Sequence, residues 1–79
     1  MNNAEIEKLQ YTVSNLVEGL SANNMDVEHY YLFEDMIFNK QYDLAVDLLK
    51  NGIPGLSNGN QLSLLFIFEN ALAAHHKLI

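Results

Sequence analysis

The stretch DVEHYYLFEDMIFNKQYDLAVDLLKN, residues 26–51, decides the fold because it contains two predicted helices and the break between them. Residues 26–39 carry apolar and aromatic side chains at helical spacing, and these form a broad arc on one side of a helix. Asn39 and Lys40 interrupt the pattern, and residues 41–51 resume it with a second apolar face. The stretch therefore predicts two helices joined by a tight break.

Another predicted helix precedes this stretch, over residues 3–20. Its apolar side chains recur at spacings of three, four and seven residues and share one stripe. They are Ile6, Leu9, Val13, Leu16, Val17 and Leu20. Gly19 and the polar residues 21–24 predict the end of this helix. Asp26 is then the predicted N-cap of the next helix.

The chain after residues 26–51 predicts a connection followed by a long apolar helix. Gly52 and the proline that soon follows it end the preceding helix within a glycine-rich connection of roughly ten residues. Asn58 or Asn60 is the expected cap of a fourth helix, which runs to about Lys77. The run LSLLFIF fits a strand by itself, but the residues after it are strongly helical, so we predict a single helix.

Four helices joined by short connections predict an all-α protein that folds as a compact antiparallel bundle. A chain of 79 residues is the size of a single domain, residues 1–79. Such a small domain has a limited core, whereas 49% of its residues are hydrophobic. The surplus predicts an apolar surface that is used for a partner or for self-association.

The charge of the chain predicts a basic partner. Ten acidic residues oppose four basic ones, all of them lysines, and the net charge is −6. Proteins bind phosphate backbones and anionic membrane surfaces mainly through Lys and Arg, so direct binding to nucleic acid or to a membrane is not expected. A cationic protein, by contrast, is attracted and steered by such a charge. The alternative interpretation is that the acids serve only solubility.

Cysteine usage and the N-terminal residues predict a cytoplasmic protein. The chain has no cysteine, which excludes disulfides, thiolate nucleophiles and zinc sites built on cysteine. The first ten residues lack the basic start and the apolar core of a signal peptide. The longest apolar run, residues 64–68, is far shorter than the roughly 20 residues that a membrane span needs.

Glu34 is the residue that the helical pattern explains least well. It lies within the apolar arc of residues 26–39, and a carboxylate in a core is costly unless it is paired. We therefore predict that part of the arc is a surface for a basic partner, with tyrosines and carboxylates as contacts. The predicted partner-binding residues are Glu28, Tyr30, Tyr31, Glu34, Asp35, Asp43 and Asp47. The alternative is an ordinary helix edge with a solvated acid.

No motif predicts a metal site or a catalytic site. Asp26 and His29 are the nearest match to the Glu-x-x-His pairs of carboxylate-bridged bundles, which need two such pairs. His75 and His76 are adjacent, so their side chains point about 100° apart on a helix. The glycines lack the spacing of a phosphate-binding loop. We expect no catalytic residue, no metal ligand and no cofactor.

The fourth helix is apolar on almost all sides and predicts a second contact surface. One of its faces is expected to serve the bundle and the other a twofold-related copy. The residues predicted for self-association are Leu64, Ile67, Phe68 and Ala71, and the opposite face carries Leu65, Phe66, Leu72 and Ala73. The alternative is burial of the whole helix within one molecule.

Residues 29–49, HYYLFEDMIFNKQYDLAVDLL, resemble small helical immunity proteins of bacterial toxin systems. The similarity consists of a helix, the short break at Asn39 and Lys40, and the helix that begins with Gln41. The family includes the MafI-type immunity proteins and those of contact-dependent growth inhibition. Its members are short, often acidic, and block a cognate toxin, frequently a nuclease, by binding it. The resemblance covers about a quarter of the chain.

These observations together predict an immunity protein or antitoxin that is not an enzyme. It is expected to neutralise a basic toxin domain, an RNase or DNase, by occluding the nucleic-acid-binding or active-site surface of the toxin. The carboxylates would mimic phosphate charge, and the tyrosines would supply packing. The alternative is a small homodimeric helical regulator or adaptor.

Overall fold

Four α-helices make up the described part of the chain, which comprises residues 3–21 and 25–79 of the computed structural model. They are α1 (Asn3–Ser21), α2 (Val27–Phe38), α3 (Tyr42–Asn51) and α4 (Asn58–Leu78). The prediction of an all-α fold with four helices is confirmed. Residues 22–24, which belong to the predicted end of α1, lie outside the described ranges.

The helices pack as a bundle in which each helix contacts two others. α1 packs against α2 and α4, and α3 packs against the same two helices. α1 and α2 run antiparallel, because Gln10 of α1 reaches Phe38 whereas Ser14, one turn later, reaches Glu34, one turn earlier. The radius of gyration is 12.0 Å, close to the value of about 12 Å expected for a compact chain of this length.

One hydrophobic core fills the space between the helices. Phe33 of α2 and Phe68 of α4 are fully buried, and their rings stack with 5.2 Å between centroids. Tyr42 of α3 is also fully buried, and its ring meets His75 of α4 edge-on with 5.7 Å between centroids. Val13, Val17, Ile37, Ala45, Val46, Leu49, Ile53, Leu64 and Ala71 complete the cluster. Burial of each large apolar side chain stabilises the fold by about 1.5–3 kcal/mol.

α2 leaves the outer part of its apolar arc exposed. Phe33 and Ile37 are buried, whereas Val27, Tyr31 and Phe38 are 64%, 65% and 78% exposed. In a small bundle a helix buries only the stripe that faces its neighbours, and α2 packs against α1 and α3 alone within the described structure. The outer part of the arc is therefore surface.

Polar side chains cap the N-termini of α2 and α4. Asp26 is the N-cap of α2, as predicted, and its carboxylate accepts a hydrogen bond from the backbone N–H of His29 at 2.8 Å. The predicted caps of α4, Asn58 and Asn60, are wrong. Ser57, whose backbone is extended, is the N-cap of α4, and its hydroxyl accepts a hydrogen bond from the backbone N–H of Asn60 at 3.2 Å. The two asparagines lie inside the first turn.

The break between α2 and α3 is a Schellman motif centred on Lys40. The φ angle of Lys40 is 60°, in the left-handed region. Its backbone N–H donates to the carbonyl oxygen of Ile37 at 3.0 Å, and that of Gln41 donates to the carbonyl oxygen of Met36 at 2.7 Å. These two hydrogen bonds define the motif and satisfy carbonyls at the end of α2. The predicted tight break is thus a defined helix C-cap.

The connection between α3 and α4 spans residues 52–57 and is shorter than predicted. Within it the backbone N–H of Leu56 donates to the carbonyl oxygen of Ile53 at 3.2 Å. Pro54 and Gly55, with φ of 83° at the glycine, occupy the central positions of this turn, as a type II turn requires. The turn lets Ile53 return to the core, where it is 5% exposed.

Candidate functional site

A groove lies between the outward-facing sides of α1 and α2. It encloses about 1270 Å³, more than the roughly 300–1,000 Å³ of a typical small-molecule pocket. The residues that α1 contributes recur three or four positions apart, as one face of a helix requires. They are Asn3, Ile6, Glu7, Gln10, Tyr11 and Ser14. The size and the helical walls suit a segment of another protein better than a small ligand.

The floor of the groove is fixed by a contact between the two helices. Ile6 of α1 and Ile37 of α2 are buried beneath it. The side-chain amide of Gln10 donates to the carbonyl oxygens of Ile37 at 3.1 Å and of Phe38 at 2.8 Å. The last carbonyls of a helix lack partners within the helix. Gln10 therefore satisfies the end of α2 and holds it against α1.

The rims of the groove alternate aromatic and acidic side chains. On α1, Tyr11 is 74% exposed and lies one turn from Glu7. On α2 the rim consists of Glu28, Tyr31, Leu32, Asp35 and Phe38. Lys40 lies at the end of α2 and is the basic residue of the lining. Apolar area and negative charge are thus presented together on one surface.

Glu34 lies inside the groove and is only partly satisfied. The hydroxyl of Ser14 on α1 donates to Oε2 of Glu34 at 2.7 Å. The other oxygen, Oε1, is buried and has no hydrogen-bond partner among the described residues. A buried charged acceptor without a partner costs several kcal/mol relative to one that is paired. Ser14 therefore orients a carboxylate whose second oxygen is left for another donor.

Tyr30 lies beside Glu34 and is half-buried. Burial, followed by the negative charges of Glu34 and Glu18, raises the pKa of the Tyr30 hydroxyl above its ordinary value. A side-chain interaction of the hydroxyl with the Glu34 carboxylate raises this pKa further, although the hydroxyl is not oriented for a well-formed hydrogen bond to Oε1 of Glu34. Its ring is tilted against that of Tyr31, with 5.7 Å between centroids. Tyr30 therefore remains a neutral hydroxyl and backs the rim of the groove.

The structure brings four of the predicted partner-binding residues together in the groove. These are Glu28, Tyr31, Glu34 and Asp35. Tyr30 supports them from beside Glu34, outside the lining. The helical spacing of residues in α2 is enough to group Glu28, Tyr31, Glu34 and Asp35, because all four lie on or next to one face of that helix.

Asp43 and Asp47, the other two predicted partner-binding residues, lie outside this surface. Both are exposed on α3, one turn apart, and neither lines the groove. The groove is formed by α1 and α2, and the turn at Lys40 directs α3 away from it. These two acids contribute to the net charge rather than to the site.

The contribution of α1 to the groove is not predicted from the sequence. Glu7, Tyr11 and Ser14 lie on the side of α1 that faces away from its apolar stripe. The feature of the sequence that points to this surface is Tyr11, which follows Glu7 by one helical turn on the polar side of α1. The pairing of α1 with α2, which places Ser14 against Glu34, depends on the tertiary fold.

The predicted self-association surface of α4 is also corrected. Leu64, Phe68 and Ala71 are 0%, 0% and 3% exposed and belong to the core of one molecule. Ile67 is half-buried and packs against that core. The apolar side chains that α4 exposes are instead Leu62 and Phe66, on the other side of the helix.

The histidines take structural positions within the described residues. Nδ1 of His29 lies 2.8 Å from Oδ1 of Asp26, beside the N-cap of α2. His75 packs on Tyr42, and its ring centroid is 6.5 Å from that of His76. Among residues 3–21 and 25–79, no group of three or more His, Asp or Glu side chains is arranged to hold a metal ion.

Comparisons of the chain with protein-family models, with curated proteins and with solved structures found no match. Within the described ranges, none of the helices has both the length and the apolar character needed to cross a lipid bilayer.

Proposed function

We propose that this protein is a cytoplasmic immunity protein or antitoxin that binds a cationic toxin domain in the α1–α2 groove and neutralises it. The observation that carries the proposal is the buried Oε1 of Glu34, which has no hydrogen-bond partner among the described residues. Glu34 lines the groove, so an arginine or lysine of a partner that enters the groove and displaces the side chains covering this oxygen would donate to it. Hydrogen bonds between ionised groups are roughly twice as strong as neutral ones.

The rims of the groove support a protein partner. Tyr11, Tyr31 and Phe38 expose large rings beside acids, and aromatic residues are enriched among the side chains that contribute most to protein–protein binding. A net charge of −6 attracts a cationic protein over long range and speeds its association at low salt. Glu34 and the aromatic residues then supply short-range contacts.

A nuclease toxin fits this chemistry. The nucleic-acid-binding surface of a nuclease is basic because it holds phosphates, so carboxylates can occupy the positions of those phosphates. Residues 29–49, which resemble bacterial immunity proteins, include Tyr31, Glu34 and Asp35 of the groove. Occlusion of the basic surface of the toxin would then block its access to nucleic acid.

The variant Glu34→Gln tests the proposal because it keeps the size of the side chain and removes its charge. The probe is the purified cationic nuclease domain encoded in the reading frame beside that of this chain. We expect its Kd, measured by isothermal titration calorimetry, to rise more than about tenfold. Loss of one member of a buried charge pair costs about 2 kcal/mol or more. Inhibition of the nuclease should weaken in parallel.

Asp47→Asn is the matched control, since it makes the same change in net charge on α3, outside the groove. It should leave the Kd within about threefold of the original value, because single exposed charges contribute about 0–1 kcal/mol. Circular dichroism verifies that both variants are folded. Equal affinities of Glu34→Gln and the unaltered protein would contradict the assignment of the groove.

A further inference from the structure

The α1–α2 groove has the length and the volume of a short helix. On α1 its lining extends from Asn3 to Ser14, and on α2 it extends from Glu28 to Lys40, just past the end of the helix. At a rise of about 1.5 Å per residue, each of these walls is roughly 17–18 Å long. A helix of about twelve residues has that length, and with a diameter of about 10 Å it displaces roughly 1,400 Å³. The groove encloses about 1270 Å³, so one such helix fits along it.

The walls of the groove offer few backbone hydrogen bonds to a bound segment. Within α1 and α2 the N–H and C=O groups pair with each other, and Gln10 donates to the last carbonyls of α2. The described residues contain no strand, so among them there is no sheet edge for an extended segment to join. An extended segment in the groove would therefore bury unpaired backbone groups, which is costly, whereas a helix satisfies its own.

Tyr31, Glu34 and Phe38 define the side-chain pattern that fits the α2 wall. They are spaced by three and four residues, so they follow one another along one side of α2. The two rings are exposed, and the carboxylate lies between them along the helix. A facing helix complements this order with apolar, basic and apolar residues at similar spacings. Its basic side chain then lies nearest to Glu34, whose buried Oε1 accepts no hydrogen bond among the described residues.

The charges of the groove favour a basic helix over a neutral or an acidic one. Four carboxylates line the groove, and Lys40 at one end is the single basic residue of the lining. Glu28 and Asp35 are exposed on the outer rim of α2, and Glu7 lies on the rim of α1. An acidic helix is repelled by these charges, and a neutral helix would remove water from the carboxylates without replacing its hydrogen bonds. Basic residues on the flanks of the bound helix pair with them.

We infer that the element bound in the α1–α2 groove is a cationic amphipathic α-helix of about three turns, with an arginine or a lysine inside its apolar stripe. Its apolar side chains pack on the rings of Tyr11, Tyr31 and Phe38, and its flanking basic residues face the carboxylates of the rims. This inference rests on the proposed function, because it names the element by which the cationic toxin domain enters the groove.

Synthetic peptides test the shape of the occupant without the toxin. The probe is a labelled peptide of about twelve residues with two leucines about two turns apart and one arginine between them on the same side, on a background of alanine, glutamine and lysine. A lactam bridge on its outer side keeps it helical, because short helices are marginal in water. Fluorescence anisotropy gives its Kd. We expect it to bind at least about tenfold more tightly than an unbridged peptide with a proline in the middle of the outer side.

The position of the arginine separates pairing with Glu34 from the effect of net charge. A bridged peptide of the same composition, with the arginine moved to the outer side, should bind the unaltered protein at least about tenfold more weakly. Glu34→Gln should bind the first peptide more weakly by a similar factor and should hardly distinguish the two peptides. Asp47→Asn, on α3 outside the groove, should distinguish them as the unaltered protein does.

Phe38→Ala tests the packing of the bound helix on the rings. The affinity for the first peptide should fall more than about fivefold, as expected of a side chain that anchors an interface. Phe66→Ala is the matched control, because Phe38 and Phe66 are 78% and 71% exposed and Phe66 lies outside the groove. It should leave the Kd within about twofold of the original value. Circular dichroism verifies that each variant is folded.

Three results would overturn the inference: equal affinity for the bridged and the proline peptide, equal affinity for the two positions of the arginine, or no binding of the first peptide up to about 1 mM. Inhibition of the nuclease through Glu34 combined with any of these results would leave the proposed function intact and remove the helix alone. Binding of the peptides in the expected order, without binding of the nuclease, would support the helix and contradict the proposed function.

Discussion

Asp26, the N-cap of α2, and Glu34, within α2, are two carboxylates with different hydrogen-bond partners. Asp26 accepts a hydrogen bond from the backbone N–H of His29 at 2.8 Å, and its two oxygens lie 2.8 and 2.9 Å from Nδ1 of that residue. The N-terminus of a helix also favours a negative charge. Among the described residues, Glu34 accepts a hydrogen bond from Ser14 through one oxygen and none through the other. The carboxylate of Asp26 is thus satisfied within the fold, whereas that of Glu34 is satisfied only in part.

The N-cap makes stability depend on pH in a defined direction. The backbone N–H of His29, followed by its ring, lowers the pKa of Asp26 by hydrogen bonding. A carboxyl with a depressed folded pKa stabilises the fold above its unfolded pKa of about 3.9, and this contribution is lost as the pH falls through the folded pKa. We expect Asp26→Asn to lower the Tm at pH 7 and to lose this effect progressively below about pH 4.

Asparagine is a good N-cap, so the difference in Tm between Asp26→Asn and the unaltered protein reports the charge of Asp26 rather than the loss of the cap. Asp35→Asn, an exposed position in the middle of α2, is the control for the change in net charge. Thermal unfolding followed by circular dichroism gives the Tm of each variant at each pH. Identical Tm values for Asp26→Asn and the unaltered protein from about pH 7 down to about pH 3 would contradict the linkage.

At the scale of the elements, the turn between α2 and α3 contains a residue that is poorly suited to its conformation. Lys40 has a φ angle of 60°, and the left-handed conformation costs a residue with a Cβ about 1–2 kcal/mol. Glycine adopts it without that cost but loses more entropy on folding. We expect Lys40→Gly to raise the free energy of unfolding by about 0.5–1 kcal/mol, measured by urea denaturation.

Lys40→Ala separates the backbone effect from the loss of the lysine side chain. It removes the same charge but retains a Cβ at the strained φ. Its stability should therefore lie within about 0.5 kcal/mol of the original value. An equal gain in Lys40→Gly and Lys40→Ala would mean that removal of the lysine side chain, not relief of the left-handed conformation, stabilises the fold.

Periodicity located the helices because the residues that face a core recur every three or four positions. Asp26 was predicted as a cap for the same local reason, since its carboxylate reaches a backbone N–H three residues later. The cap of α4 was missed because Ser57 stands among several asparagines and glycines that can serve equally well by composition. The position of Glu34 within an apolar arc distinguishes it already in the sequence, whereas Ser14, its donor, is identified only by the packing of α1 on α2.

The sequence does not show which face of α4 is buried, and the reason is different. Leu62, Leu64, Phe66 and Phe68 alternate along a helix that is apolar on nearly every side, so periodicity gives no preferred direction. The position of α4 between α1 and α3 decides that Leu64 and Phe68 face inward. The sequence did predict a surplus of apolar side chains for so small a core.

At the scale of the whole molecule, the large exposed apolar residues of α1, α2 and α4, except Val27, lie on two surfaces that differ in charge. The α1–α2 groove combines rings with acids, whereas the shallow depression between α1 and α4 has one ring, Phe66, and no charged residue in its lining. α1 lies between them and contributes to both. A domain of this size buries only about 60% of the surface of its unfolded chain, so apolar side chains remain exposed, and the charges beside them differ between the two surfaces.

The stability of the whole bundle depends on the contact between Phe33 and Phe68. Within the described residues, α2 and α4 each pack against α1 and α3 and not along each other. The stacked rings of Phe33 and Phe68, with 5.2 Å between centroids, fill the space between α2 and α4. Replacement of a buried phenylalanine by alanine costs about 3–5 kcal/mol. A domain of this length has a total stability of roughly 4–12 kcal/mol. We expect Phe68→Ala to lose about 3–5 kcal/mol in urea denaturation and to be partly unfolded in water.

Phe66→Ala gives this prediction its internal control, because it removes the same side chain two residues earlier in the same helix. Phe66 is 71% exposed whereas Phe68 is fully buried, so Phe66→Ala should cost no more than about 0.5 kcal/mol. Measurement at low micromolar protein limits any self-association, so the comparison reports burial within one molecule. Comparable losses from the two variants would mean that α4 is rotated relative to the core, and the core would have to be reassigned.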